Sequence, residues 1–187
     1  MTETQLIQEL EKVTALRENR KRVSNMVLQD MSLLEPLVSI VFRVEEKVSV
    51  KAAWVFEFVV KTDFNLVLPY VELLSHKLAK VHFGDAVRSL AKILQIICIE
   101  NDKHQFLTPK QRERFIEITF DWMISKHKVA IKVYAMQTLL YLGRYENWVH
   151  QELKTLILKE IDSGSPAYKA RGRMTLEQLV KWNKKSC

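Results

Sequence analysis

Residues 128–147 read KVAIKVYAMQTLLYLGRYEN, an almost continuous apolar segment that carries Lys128 and Lys132 one helical turn apart. Its composition favours a helix, because Ala, Leu, Met, Gln and Lys rank among the strongest helix formers. Gly143 marks the expected end of this helix. Lys132 directly follows an apolar residue near the helix start, and the same arrangement recurs at three other places in the chain. This recurrence determines the fold that the sequence predicts.

The repeated arrangement is an apolar residue followed by a basic one, as in Val50-Lys51, Val87-Arg88, Ile131-Lys132 and Tyr168-Lys169. The basic residues are separated by intervals of 37, 44 and 37 residues. A second set of helical segments lies between these positions, and two of its members carry a proline, Pro36 and Pro69. Paired helices that recur with a period of about 40 residues predict a tandem array of helical hairpins.

The motifs LPYVELL at 68–74 and DAVRSLA at 85–91 carry a family resemblance. A first helix with an early proline and a second helix that opens with D-x-V-R-x-x-A resemble the HEAT repeats of the armadillo-like superfamily. The resemblance covers residues 32–182, but Trp54 stands where a small residue is usual, and the Asp is present only at Asp85. It implies an all-α fold, an α-α superhelix (α-solenoid) of about five helical hairpins.

We therefore predict a single helical-repeat domain over residues 1–187. It would consist of an N-terminal capping hairpin at 1–31, four HEAT-like repeats at 32–182 and a basic tail at 183–187. The third repeat has a longer link, residues 101–113, ahead of its first helix. Internal helices of such an array should be apolar on nearly all sides, because neighbouring helices cover both of their faces.

Helix starts are predicted from capping residues and prolines. Thr108 is expected to cap a helix that has Pro109 at its first position. Ser32 and Asn65 are expected to cap two earlier helices, each with its proline in the first turn, where a missing N–H costs least. The apolar face expected for the second of these helices is formed by Val67, Val71, Leu74 and Leu78.

The chain has 187 residues, of which 48% are hydrophobic, and it contains only 4 Gly and 4 Pro. This composition supports a sizeable core and excludes a disordered chain and a many-stranded β sandwich. Cys98 lies in an apolar run and Cys187 is the last residue, so neither a disulfide framework nor a Cys-rich metal site is indicated. The N-terminus lacks the pattern of a signal peptide, and no apolar run is long enough to span a bilayer. We therefore predict a cytoplasmic protein without membrane insertion.

The net charge of +7 and the isoelectric point near 9.4 permit binding to nucleic acid, to acidic lipid or to an acidic protein. The candidate partner-binding residues are the recurring basic positions and two arginines of the last repeat: Lys51, Arg88, Lys132, Lys169, Arg171 and Arg173. The resemblance implies a structural alternative, in which the basic residue of each second helix binds a carboxylate or carbonyl in the turn of a neighbouring repeat. Both interpretations stay open, because long cationic side chains pack along their stems while their charged ends reach water.

No catalytic residue, metal site or cofactor is predicted. The five histidines are scattered without the i, i+4 pair of a helical zinc site. Four glycines spread along the chain cannot form a phosphate-binding loop. Helical lyases of the fumarase kind have a Ser- and Gly-rich catalytic loop that this chain lacks, so lyase activity is not expected.

The HEAT-like superfamily includes bacterial DNA glycosylases, which recognise alkylated bases with aromatic residues and a carboxylate in a basic groove. Asp121 and Trp122 are an adjacent acidic–aromatic pair. Neighbouring residues on a helix point about 100° apart, however, and therefore do not share a face. We expect Trp54 and Trp122 to belong to the core.

Two functional hypotheses follow. The first is a non-catalytic binding or scaffold module that presents a curved helical surface to a protein partner. The alternative is a nucleic-acid-binding HEAT-like protein, in one form a glycosylase for alkylated bases in DNA. Nucleic-acid binding requires a continuous basic stripe and an affinity that falls steeply with salt. If the recurring basic residues are instead buried or paired with acids, the alternative loses its main support.

Overall fold

The computed structural model describes residues 1–183, and within this range the chain is helical, without β-strands. The α-helices are α1 (Glu3–Glu11), α2 (Arg17–Gln29), α3 (Leu34–Val41), α4 (Val48–Thr62), α5 (Val71–Lys77), α6 (Gly84–His104), α7 (Pro109–Ile124), α8 (Val129–Leu142), α9 (Asn147–Glu160) and α10 (Pro166–Asn183). Short 3-10 segments lie at Met31–Leu33, Phe64–Tyr70 and Leu78–Lys80. The predicted all-α fold class is confirmed, and the helices are consistent with a HEAT-repeat α-solenoid.

The chain divides into two compact units, an N-terminal unit, Met1–Ile93, and a C-terminal unit, Leu94–Cys187. The assignment of residues 1–31 to a capping hairpin and of 32–182 to four repeats stays a prediction. Of the predicted basic tail, residues 184–187, Cys187 among them, lie outside the described residues.

Helix α4 is the centre of the N-terminal unit and packs against α1, α2 and α3. Its buried residues include Ala52, Val55, Phe56 and Val59, which point in several directions around the helix. The Phe56 ring meets the edge of Tyr70, with the ring centroids 6.4 Å apart. Because helices cover α4 from several directions, it is apolar on nearly all sides, as predicted for an internal helix.

Helix α8 has the same central position in the C-terminal unit, where it packs against α7, α9 and α10. Ile131, Ala135, Met136 and Leu139 are fully buried along it. Trp122 of α7 is also buried, so its assignment to the core is confirmed.

The link between α6 and α7 is shorter than the sequence suggested, because α6 continues to His104. Asn101, which is buried, organises the turn that follows: its Oδ1 accepts from the backbone N–H of Leu107 at 2.7 Å. Its Nδ2 donates to the hydroxyl of Tyr145 at 3.1 Å. Gln105, in the turn between the two helices, adopts a φ of 52°, in the left-handed region.

Thr108 forms a complete capping box at the start of α7. Its hydroxyl accepts from the N–H of Gln111, whose side chain in turn accepts from the N–H of Thr108. Pro109 occupies the first helical position. The predicted cap and the predicted proline position are both confirmed, and they set the register of α7.

The predicted caps Ser32 and Asn65 are wrong, because an aspartate two residues earlier caps each segment. Asp30 Oδ1 accepts from the N–H of Ser32 at 3.3 Å, and Asp63 Oδ1 accepts from the N–H of Asn65 at 3.0 Å. A carboxylate at this position accepts more strongly than a neutral side chain. The segments that the two aspartates cap are 3-10 turns, and the α-helices α3 and α5 begin after them.

The helix predicted as one piece around Pro69 is divided. Pro69 lies near the end of a 3-10 segment, Phe64–Tyr70, and α5 begins only at Val71. Proline has no N–H for an i to i−4 hydrogen bond and disfavours the α conformation of the residue before it, so the α-helix starts after it. The predicted apolar face is nevertheless correct, since all four of its residues are buried.

Candidate functional site

Lys51 is the first of the recurring basic residues, and it binds within the chain. Its Nζ donates to the backbone carbonyl of Glu11, the last residue of α1. The final carbonyls of a helix lack intrahelical donors and carry partial negative charge, so a cation is favoured there. Lys51 thereby joins the start of α4 to the end of α1.

Arg88 contributes to a buried carboxylate site in the N-terminal unit. Its Nη2 lies 3.7 Å from Glu57 Oε2, and the Glu57 side chain is only 5% exposed. Glu57 also accepts from the Ser89 hydroxyl at 2.7 Å and pairs with Lys61 Nζ at 3.0 Å. A buried carboxylate requires this degree of compensation, because desolvation strongly disfavours an unpaired charge.

Lys132 binds the last residue of α9. Its Nζ lies 3.0 Å from Glu160 Oε2, and the Lys132 side chain is only 16% exposed. Lys51, Arg88 and Lys132 thus all have acceptors inside the chain, which is the structural alternative for these positions. Three of the four recurring basic residues therefore have acceptors inside the chain, which weakens the support for a continuous basic stripe, and their role in partner binding stays a prediction.

The three basic candidates of α10 are different. Within residues 1–183, the side chains of Lys169, Arg171 and Arg173 form no hydrogen bond or ion pair. Arg173 is exposed, while Arg171 lines a small pocket of about 230 Å³ together with Tyr141 and Trp182. Their role in partner binding stays a prediction.

A groove of about 810 Å³ lies in the C-terminal unit, between α7 and the start of α9. We name it the α7–α9 groove. It is lined by Pro109, Lys110, Glu113, Ile116, Glu117, Phe120, Asp121, Glu146 and Trp148. Its volume is within the range of binding sites for small molecules and peptide side chains.

An aromatic pair forms one wall of the α7–α9 groove. The rings of Phe120 and Trp148 stack with their centroids 5.7 Å apart and their planes inclined by 22°. Trp148 is 54% exposed, although Ile116 beside it is buried. The wall therefore combines a buried apolar residue with an indole that is more than half exposed.

Carboxylates form the rim of the groove. Glu113, Glu117 and Asp121 recur every four residues along α7, so their side chains lie on one stripe of the helix. Glu146 adds a fourth carboxylate at the start of α9, and Lys110 is the one cation among the lining residues. Within the described residues, none of the four carboxylates forms an ion pair or a side-chain hydrogen bond.

This groove was not predicted from the sequence, because all of the predicted partner-binding residues are basic. A signal was present: like charges at i, i+4 and i+8 destabilise an isolated helix, and Ile116 and Phe120 form an apolar stripe beside them. Asp121 and Trp122, considered as a pair, point apart, with Asp121 on the groove and Trp122 in the core. Trp54, expected in the core, is only half-buried, under the guanidinium of Arg20.

His150 anchors the first turn of α9 and thereby positions Trp148. Its Nε2 lies 2.8 Å from the carbonyl oxygen of Leu140, near the end of α8, as expected for an N–H donor. The ring approaches so closely to Gly143 that a Cβ at this position would overlap it. Gly143 ends α8 as predicted, but with a φ of −64° the reason is space rather than a left-handed turn.

Replacing Gly143 with alanine is expected to lower the free energy of unfolding by about 1–3 kcal/mol, because the added methyl group displaces the His150 ring. Urea denaturation followed by circular dichroism measures this change. Gly84→Ala is the matched control, since no atom lies within 4 Å of a Cβ there. The control should be neutral or stabilising by up to about 1 kcal/mol. Equal destabilisation by both changes would contradict the role assigned to His150.

Residues 1–183 contain no group of three or more His, Cys, Asp or Glu side chains placed to hold a metal ion. No described helix is long and apolar enough to cross a membrane. Cys98 is buried, and burial raises the pKa of its thiol well above the ordinary value, so it acts as an apolar core residue.

The family model for the HEAT repeat domain matches residues 5–179. The chain therefore belongs to the HEAT repeat domain family, and the resemblance predicted from LPYVELL and DAVRSLA is confirmed. Proteins of this family are generally non-catalytic helical-repeat scaffolds that often mediate protein interactions. No curated protein and no solved structure matches the chain significantly.

Proposed function

We propose that this chain is a non-catalytic, cytoplasmic scaffold module that binds a protein partner through the α7–α9 groove. The observation that carries this proposal is the stacked pair of Phe120 and Trp148, with an indole that is 54% exposed at the wall of a groove of about 810 Å³. Exposed aromatic residues in such grooves supply much of the binding energy of protein interfaces. Membership of the HEAT repeat domain family supports the same function.

The basic candidates belong to this proposal in two ways. Lys169, Arg171 and Arg173 have charged ends without acceptors among the described residues, so they could contact an acidic part of a partner. The other three have charged ends that are already bound, Lys51 by the backbone carbonyl of Glu11, Arg88 by the carboxylate of Glu57 and Lys132 by that of Glu160. These three could contact a partner only through the apolar stems of their side chains.

Site-specific photo-crosslinking tests the proposal. A benzophenone amino acid replaces Trp148 in one variant and Leu158 in the control, a residue of α9 that is 52% exposed but does not line the groove. We expect discrete protein adducts at position 148 that are absent at 158. With the identified partner purified, Trp148→Ala should weaken binding by about 2 kcal/mol, or about 30-fold in Kd. Leu158→Ala should leave Kd within about twofold.

Nucleic-acid binding is tested in parallel by titrating duplex DNA at two salt concentrations. Adducts that form equally at both positions would contradict the assignment of the groove. Tight DNA binding with a steep salt dependence, lost on neutralising Lys169, Arg171 and Arg173 together, would replace the proposal with the nucleic-acid alternative.

A further inference from the structure

The rim of the α7–α9 groove has the opposite charge to the protein as a whole. The chain carries a net charge of +7, yet four carboxylates and one lysine line this groove. Three of the carboxylates repel one another along a single stripe of α7, and no cation of the described residues pairs with them. A cationic ligand would relieve this repulsion.

The aromatic wall favours the same class of ligand by a separate interaction. An ammonium or guanidinium group over the face of an indole is attracted by the negative face of the ring, more strongly where water is excluded. Trp148 lines the groove, stacks on Phe120 and remains 54% exposed, so its indole is accessible to such a group. Glu146, on the residue before α9, lies close in sequence to Trp148 and adds negative charge at this end of the groove.

The spacing of the carboxylates suggests how such a ligand would lie. Residues four apart on a helix are separated by about 6 Å along its axis, so Glu113 and Asp121 lie about 12 Å apart. Alternate side chains of an extended peptide are about 6.7 Å apart. Basic residues at alternate positions of an extended segment would therefore meet Glu113, Glu117 and Asp121 in turn.

We infer that the α7–α9 groove binds a lysine- and arginine-rich segment of the protein partner. One cationic group lies over Trp148, and its neighbours along the segment pair with Glu113, Glu117 and Asp121. This inference rests on the proposed function and adds the chemical class of the partner. A phosphate-rich ligand is disfavoured, because the carboxylates of the rim would repel it.

The test uses the full chain and a fluorescein-labelled peptide with arginine at alternate positions. A matched peptide replaces each arginine with citrulline, which keeps the shape and removes the charge. Fluorescence anisotropy at low salt should give a Kd for the citrulline peptide that is about tenfold or more above the Kd for the arginine peptide. The affinity for the arginine peptide should also fall as salt is raised.

Substitutions place the binding in the groove. The double variant Glu117→Gln/Asp121→Asn and the single variant Trp148→Ala should each weaken binding of the arginine peptide by about tenfold or more. Glu152→Gln, an exposed carboxylate of α9 outside the groove, is the control and should leave Kd unchanged. The substituted carboxylates are exposed and repel each other, so the variants should keep their fold, which circular dichroism checks.

The outcomes separate this inference from the proposed function. Equal binding of the arginine and citrulline peptides, or no binding of either, overturns the inference, and discrete adducts at position 148 would still support the proposed function. Failure of both experiments overturns both. Sedimentation that shows self-association lost in Glu117→Gln/Asp121→Asn would identify a second copy of this chain as the occupant and overturn the assignment to a separate partner.

Discussion

Replacing Phe56 with alanine is expected to lower the free energy of unfolding by about 3–5 kcal/mol. Phe56 has no exposed surface and lies on α4, the helix around which α1, α2 and α3 pack. The change removes the whole ring and leaves a cavity that these helices can only partly fill, since α4 is held on several sides at once. Loss of the edge contact with Tyr70 adds to the effect.

Urea denaturation followed by far-UV circular dichroism measures this loss. Phe58→Ala is the matched control, because Phe58 lies two residues further on α4, is only half-buried and is covered by Arg20 and Lys61. Its loss should cost about 1 kcal/mol, from the cation–π contacts and part of the ring's burial. A control effect as large as that of Phe56→Ala would show that α4 is not the centre of the N-terminal core.

Replacing Glu57 with alanine is expected to cost about 2–4 kcal/mol. The change removes the acceptor of the Ser89 hydroxyl, and Ser89 has no exposed surface, so that hydroxyl would be left buried without a partner. It also removes the counter-charge of Arg88 and Lys61. The cost should be below that of a fully buried ion pair, because both cations are partly exposed and can return to water.

A double-mutant cycle locates this effect. If the buried site acts as a unit, Glu57→Ala and Ser89→Ala together should destabilise less than the sum of the two single changes. Glu45→Ala, an exposed carboxylate in the turn before α4, is the control and should lie within about 0.5 kcal/mol of the native chain. Additive effects, or a loss no larger than that of the control, would mean that the Glu57 site does not stabilise the fold.

The recurring basic residues and the carboxylates of the α7–α9 groove differ in whether the chain compensates their charge. Three basic residues, Lys51, Arg88 and Lys132, sit in the early turns of their helices, where the helix dipole disfavours a cation. Each is compensated by an acceptor on another helix. The carboxylates of the α7–α9 groove have no such compensation among the described residues and line the same groove as the exposed Trp148, which is why we propose that they take part in partner binding.

Local features of single helices were predictable from the sequence. The capping box at Thr108 depends on residues three apart in the chain, and the apolar faces depend on a period of about 3.6 residues, so both can be recognised without a structure. The recurring apolar–basic pair was sufficient to identify the repeat. Competition between neighbouring polar residues was harder to judge, and Asp30 and Asp63 cap the segments for which Ser32 and Asn65 were chosen.

The amino-acid sequence alone thus determined the all-α class and the family, because apolar spacing indicates which face of each helix must be buried. Only the tertiary structure decided which hydrogen-bond and ion-pair partners the charged side chains have. Glu11 and Lys51, which form a hydrogen bond, are 40 residues apart in the chain. Trp148 of α9 and Phe120 of α7, whose rings stack, are separated in the chain by the whole of α8. Such contacts depend on the angles and distances at which helices pack, and the spacing of helices along the chain carries no information on that packing. The α7–α9 groove is a product of that packing.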